Sequence, residues 1–201
     1  GARAYLAVAG GFAVEPVLGS RSTFLPGEFG GFEGRGLRHG DVLAMREPSA
    51  VSRFKTLKKI RDGSVRWSAP PMTLPDREPI LLHVLEGQHL ASFEPPAQRQ
   101  FYEAVWRISP DSNRMGFRLA GPALGRAAGE ILSGPTCLGT VQVPANGAPI
   151  VLMADHQTTG GYPHIAEVVS ADVPRLAQLA PGGTVHFARC ALALAAELRH
   201  H

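Results

Sequence analysis

Apolar positions along this chain come in short runs broken by glycine, proline and asparagine, and few runs hold a helical period. Pro79-Ile80-Leu81-Leu82-His83-Val84-Leu85 reads as a strand, because an apolar run of this length bounded by turn residues is too short for a buried helix. Val105-Trp106-Arg107-Ile108-Ser109 alternates with period two, turns at Pro110-Asp111-Ser112-Asn113 and resumes over Met115 to Leu119. The same reading predicts strands at Arg3 to Gly10, near Val65-Arg66-Trp67, and at Glu130-Ile131-Leu132, Thr140 to Val143, Pro149 to Met153, Ile165 to Ser170 and Thr184 to Ala188. Asn146-Gly147 marks a reverse turn, since Asn-Gly accepts positive φ cheaply. Helical spacing is confined to Ser92 to Val105 (Ser92 as N-cap, Glu94 and Pro95 in the first turn), Val173 to Leu179 behind Asp172, and a tail over Ala191 to Leu198. Many short strands with one or two short helices predict a mostly β barrel or sandwich.

Glycine and proline, 23 and 17 of 201 residues, fit that turn-rich pattern. Residues 19–41 are a string of turns, and Leu37 to Met45 reads as a turn feeding a strand. This stretch lacks G-x-x-x-x-G-K-[ST], so it is not a P-loop. Residues 47–79, opened by Pro48 and closed by Pro70, Pro71, Pro75 and Pro79, read as an extended connection. The expected organisation is 1–46, a glycine-rich first lobe; 47–79, the connection; and 80–201, the barrel.

Net charge is +3, and the basic cluster Lys55, Lys58, Lys59 and Arg61 reads as a solvated loop, so no nucleic-acid partner is expected. No run of about 18 apolar residues occurs, so no membrane span is expected. The two cysteines, Cys137 and Cys190, form no CxxC pair, which leaves zinc without support; their scarcity points to a reducing, cytoplasmic compartment. Gly1-Ala2-Arg3-Ala4-Tyr5-Leu6 does not read as a signal peptide.

The densest chemistry lies in Ala154-Asp155-His156-Gln157-Thr158-Thr159-Gly160-Gly161-Tyr162-Pro163, which packs a carboxylate, an imidazole, a carboxamide, two hydroxyls and a Gly-Gly pair into one loop after an apolar strand. Loops on rigid scaffolds collect binding and catalytic groups, although such side chains also cap tight turns.

Several segments, in order, carry a resemblance: Leu18-Gly19-Ser20-Arg21-Ser22-Thr23, Phe29-Gly30-Gly31, Gly34-Arg35, Gly40-Asp41, Ser112 to Leu119, Gln142-Val143-Pro144 and Thr158 to Pro163. Together they resemble the C subunit of bacterial 5-oxoprolinase, also called the KipA or allophanate-hydrolase-subunit-2 family. They are also similar to the second half of the carboxyltransferase domain of urea carboxylase. Relatives of this kind carry a further N-terminal portion before Arg3, and position 156, His here, is often Arg in them. The resemblance implies a cyclophilin-like β-barrel without prolyl isomerase activity.

It also implies an ATP-dependent opening of the 5-oxoproline lactam to glutamate. That work would be shared with a KipI-like B subunit and an A subunit of 5-oxoprolinase, with ATP as co-substrate although this chain has no motif for it. The alternatives are a carboxyltransferase module acting on carboxybiotin and urea, and a regulatory KipA-like binding module. For a small amide or urea, Asp155, Gln157 and Thr158 are the candidate catalytic residues: Asp155 to orient a proton or meet a ligand N–H, Gln157 as donor and acceptor, Thr158 as a hydroxyl. Asn113, Arg114, Gln142, Thr159, Gly160, Gly161 and Tyr162 are the candidate substrate-binding residues. Backbone N–H groups at Gly160 and Gly161 can approach an oxyanion, Tyr162 can stack on a flat ring, and Arg114 can fork a carboxylate. Duller roles stay open: Arg114 in an ion pair, Asn113 as a turn residue, Gln142 facing solvent, and Tyr162 set by Pro163. The Asn113-Arg114 corner and the loop after Met153 are expected to converge on a shared cavity that takes a small planar amide.

Overall fold

The computed structural model describes residues 2–47, 55, 58–59, 61–63, 79–125 and 131–198. The chain divides into two compact units, residues 5–71 and residues 72–201 with 1–4.

Among the described residues the larger unit contains nine strands: β1 Ile80–Glu86, β2 Trp106–Ile108, β3 Gly116–Ala120, β4 Gly134–Pro135, β5 Thr140–Gln142, β6 Ile150–Leu152, β7 Thr159–Gly160, β8 His164–Val168 and β9 Thr184–Arg189. Seven of them close a barrel in the order β1-β8-β5-β6-β3-β2-β9, and β4 and β7 form a separate two-stranded ribbon. The neighbouring pairs are antiparallel except β1 and β9, which run parallel, with Ile80 opposite Val185 and Val84 opposite Arg189. Alternation drives closure. Ile80, Leu82 and Val84 on β1 and Val185 and Phe187 on β9 are buried, while the residues between them are more exposed. Trp106, Phe117, Leu119, Val141 and Ile165 complete the core from the other strands.

Three helices among the described residues accompany the barrel, each within one of the three spans of helical spacing although the fold class counted only one or two: α1 Pro95–Glu103, α2 Val173–Ala177 and α3 Leu192–Leu198. Helix α1 starts three residues after the expected Ser92 cap. Pro95 takes the first turn, where a missing N–H costs nothing, and Glu94 becomes the cap position. Ser92 instead closes a 3₁₀ turn, Leu90–Ser92, its hydroxyl donating to His89 O at 2.7 Å. The turn at Asn146-Gly147 forms as expected, with Gly147 at φ 75°.

Two predicted strands are not strands. Residues 3–8 have no ladder partner among the described residues; Arg3 reaches the turn after α2, its backbone N–H donating to Gln178 Oε1 at 3.0 Å and its guanidinium lying 5.1 Å over the Phe117 ring. Residues 131–133 are irregular, and the strand predicted near Val65 lies outside the described residues.

The smaller unit is a turn-rich lobe joined by isolated bridges, Phe12 to Met45, Val17 to Ser20 and Phe24 to Phe29. The predicted strand after Gly40-Asp41 is reduced to the Met45 bridge. Arg35 donates twice to Asp41, at 2.8 and 2.9 Å, which holds the Asp41 carboxyl down to about 2. A cleft of about 370 Å³ is lined by Phe12, Arg21, Thr23, Phe32, Arg35 and Leu43, among others.

Candidate functional site

On β5, Val141 and the following Val143 enter the core, so Thr140 and Gln142 project from the opposite, outer face of the barrel wall. Opposite them on β8 the register slips. Thr140 faces Glu167 and Val141 faces Ala166, but Gln142 faces His164 rather than Ile165. This β-bulge brings a carboxamide and an imidazole side by side, the kind of re-aiming that bulges perform. Gln142 Nε2 lies 3.2 Å from His164 Nε2, and both side chains are buried.

The Asp155 to Pro163 loop folds over this wall. Gln157 Nε2 donates to Gln142 Oε1 at 3.3 Å. Thr136 N donates to Thr158 O at 3.0 Å, and the Thr136 hydroxyl donates to Gln157 O. The β4–β7 ribbon continues the cover, pairing Gly134 with Gly160 and Pro135 with Thr159. Val143 N donates to Pro163 O at 3.0 Å and fixes the far end. The imidazole of His156 lies 2.7 Å from Gln157 O through Nδ1.

The Asn113-Arg114 corner and the loop do meet. Arg114 closes its fork on Asp155, Nε to Oδ2 at 2.6 Å and Nη2 to Oδ1 at 2.9 Å, and Asp155 N donates to Arg114 O at 2.9 Å. The guanidinium holds the Asp155 carboxyl below its usual range, so it stands as a carboxylate. Asn113 is the turn residue its dull reading suggested, Oδ1 accepting from Met115 N at 2.8 Å. Gln142 does not face solvent, being 1% exposed. Tyr162 is half exposed, and Gly161 runs beside Ser133.

Sequence reasoning missed the inner half of this cluster. Gln88 and His89, just beyond β1, reach His164: Gln88 Nε2 lies 3.2 Å from His164 Nδ1, and His89 Nδ1 accepts from His164 N at 3.1 Å. The two imidazoles meet edge to face at 5.3 Å. Burial first, and His89 second, push His164 below the ordinary imidazole value of 6.5. Glu167 is pushed above 4.5 by burial, against bonds from Thr140 and Cys137 that favour its ionised form. Cys137 Sγ donates to Glu167 Oε2 at 3.3 Å, and burial raises that thiol too. The only sequence signal was a Gln-His pair directly after a strong strand. Among the described residues no group of acidic, histidine and cysteine side chains is placed to hold a metal ion, and no helix is long and apolar enough to cross a membrane.

The match to known proteins runs along both units. Residues 1–189 fit the family described as carboxyltransferase domain, subdomain A and B. The chain belongs to the carboxyltransferase domain family. It is 42% identical over 200 residues to the C subunit of the 5-oxoprolinase of Escherichia coli (strain K12), covering 99% of this chain and 60% of that protein. It is 31% identical over 215 residues to the urea amidolyase of Lachancea kluyveri, covering 99% of this chain and 11% of that one. The crystal structure of the Kluyveromyces lactis urea carboxylase superposes with a TM-score of 0.72 at 27% identity, covering 95% of this chain and 18% of that chain. The chain thus spans about three fifths of the length of the bacterial protein it matches.

Gly160 supplies one test of the cover. A Cβ there would lie 2.4 Å from Gln142 Nε2 and 3.2 Å from Thr136 Cγ2. The Gln142 amide can retreat only by giving up His164 and Gln157. Gly160→Ala is expected to lower ligand affinity by about tenfold, the weight of one to two hydrogen bonds, while the barrel melts within a few degrees of the parent. Calorimetric titration beside a thermal melt checks this, and unchanged affinity would show that the ribbon does not hold the loop.

Proposed function

We propose that this chain is part of an ATP-dependent 5-oxoprolinase that opens the lactam of 5-oxoproline to glutamate. The observation that carries the reading is the 42% identity to a protein of that name across the whole of this chain. The site is chemically suited. A lactam presents one N–H, one carbonyl oxygen and one carboxylate. Gln157 offers an outward carboxamide, and Gly161 carries no Cβ to block its backbone N–H from a developing oxyanion, while the Gly160 N–H is taken up by the ribbon opposite Gly134. Asp155, as a carboxylate held by Arg114, can accept a proton or orient water. Thr158, Thr159 and Tyr162 border the same loop, Tyr162 as the flat surface for the ring.

A lactam resists hydrolysis, so coupling to ATP supplies the driving force, and the nucleotide site belongs with the partners, the KipI-like B subunit and the A subunit. The two free thiols, Cys137 and Cys190, suit a reducing cytoplasm. A second reading has its own support in the urea amidolyase and urea carboxylase matches: a carboxyltransferase module passing a carboxyl group from carboxybiotin to urea.

The test is reconstitution of the full-length protein with those two partners, following ATP-dependent glutamate release from 5-oxoproline. Release that falls at least tenfold in kcat/KM on Gln157→Ala is expected. A complex that leaves 5-oxoproline untouched but carboxylates urea when given a biotinylated carrier would replace this reading with the second.

A further inference from the structure

We infer that His164 is a positioning residue that, through Gln142, turns the Gln157 carboxamide so that its oxygen faces the ligand and accepts a ligand N–H. The substrate named for that N–H rests on the 5-oxoprolinase reading; the relay itself does not.

Donors and acceptors alternate along one line of side chains, Gln88, His164, Gln142 and Gln157. A neutral imidazole has one N–H and one bare nitrogen. Glu167 Oε1 stands 3.8 Å from His164 Nδ1 and favours the proton there. Nε2 is then bare and needs a donor, which is the Gln142 NH₂ group at 3.2 Å. That orientation sends Gln142 Oε1 the other way, where it accepts from Gln157 Nε2 at 3.3 Å. Gln157 thus turns its NH₂ side toward the protein, one N–H bonded to Gln142, and its oxygen points the other way as the acceptor offered to a ligand. Gln88, exposed and free to rotate, completes the line by turning its amide oxygen toward Nδ1.

Reversing the first member reverses all of them. With a proton on His164 Nε2, Gln142 must turn its oxygen inward, and Gln157 then meets an NH₂ group and presents its own NH₂ outward. The site would select a ligand oxygen instead of an N–H. The ionisable groups around His164 are Glu167 on β8, His89 beyond β1, and Cys137, which reaches Glu167 from beyond β4. Burial and His89 favour the neutral form of His164, so the outward oxygen is the resting state, and acidification erodes it.

Two measurements on the full-length protein decide the inference. The first is the ring ¹⁵N spectrum of His164 at neutral pH, assigned with His164→Asn. A protonated Nδ1 with a bare Nε2 is expected, and a protonated Nε2 overturns the relay whatever the substrate is. The second compares 5-oxoproline with its N-methyl lactam by calorimetry on the reconstituted complex. The parent should prefer the N–H form by about tenfold, and Gln142→Met, which keeps the volume and removes both bonds, should lose most of that preference. A preference unchanged in Gln142→Met also overturns the relay. If 5-oxoproline does not bind, the 5-oxoprolinase reading fails, and urea against N,N′-dimethylurea gives the same contrast for the relay.

Discussion

Phe101→Ala should cost about 3–5 kcal/mol of folding stability, the range for removing a large aromatic side chain from a closed core. Phe101 is fully buried on α1. Its ring stacks on Phe187 of β9 at 4.5 Å and 17° and also meets Tyr102 and Trp106. Only Ala97 and Phe101 of α1 are buried, so one ring carries most of the contact between this helix and the barrel. The Trp106 indole N–H also donates to Phe101 O at 3.0 Å, which ties the helix end to β2. Truncation leaves a void between α1 and β9 that neither element can move to fill. Urea denaturation with an unchanged slope is the measurement. A loss under about 1 kcal/mol would mean that α1 is held by something other than this ring.

Gly87→Ala is the second large effect, and it reaches the site. A Cβ at Gly87 would lie 2.4 Å from His164 O, 2.6 Å from Ala166 N and 2.6 Å from Ile165 C. All three are backbone atoms, with no rotamer to give way. The corner is bonded on both sides of the intrusion, Gly87 N to Ile165 O and His89 N to His164 O, each at 3.0 Å. Separating β1 from β8 here is expected to cost about 3 kcal/mol, the upper part of the range for overpacking. It also pulls Gln88 and His89 off His164, so ligand binding should fall with stability. Gln88→Ala, at an exposed neighbour, should leave the melting temperature within a few degrees. Equal melting temperatures for Gly87→Ala and the parent would contradict the packing described at this corner.

The barrel was largely legible in the order of residues because its strands announce themselves by parity. Trp106-Arg107-Ile108 and Thr184 to Arg189 alternate as a half-buried wall must, and Asn146-Gly147 names its own turn. Parity fails where pairing decides. Residues 3–8 alternate as well as some true strands do, but among the described residues no strand pairs with them. The bulge opposite Gln142 cannot be read from β5 or β8 alone, since it is a mismatch between two segments more than twenty residues apart. The loop after Met153 stood out by composition. What it rests on did not, because Gln88 and His89 follow β1 while His164 and Glu167 lie on β8, and only the closed barrel gathers them.

The parallel seam between β1 and β9 joins the first barrel strand to the last. During synthesis, residues 80–86 therefore wait with both ladder edges open until residues 164–168 emerge, and with one still open until residues 184–189 have left the ribosome. A chain stalled between these points exposes a sticky apolar strand to its neighbours. Its yield in cells will depend on chaperone supply and on the pace at which the last segment is translated.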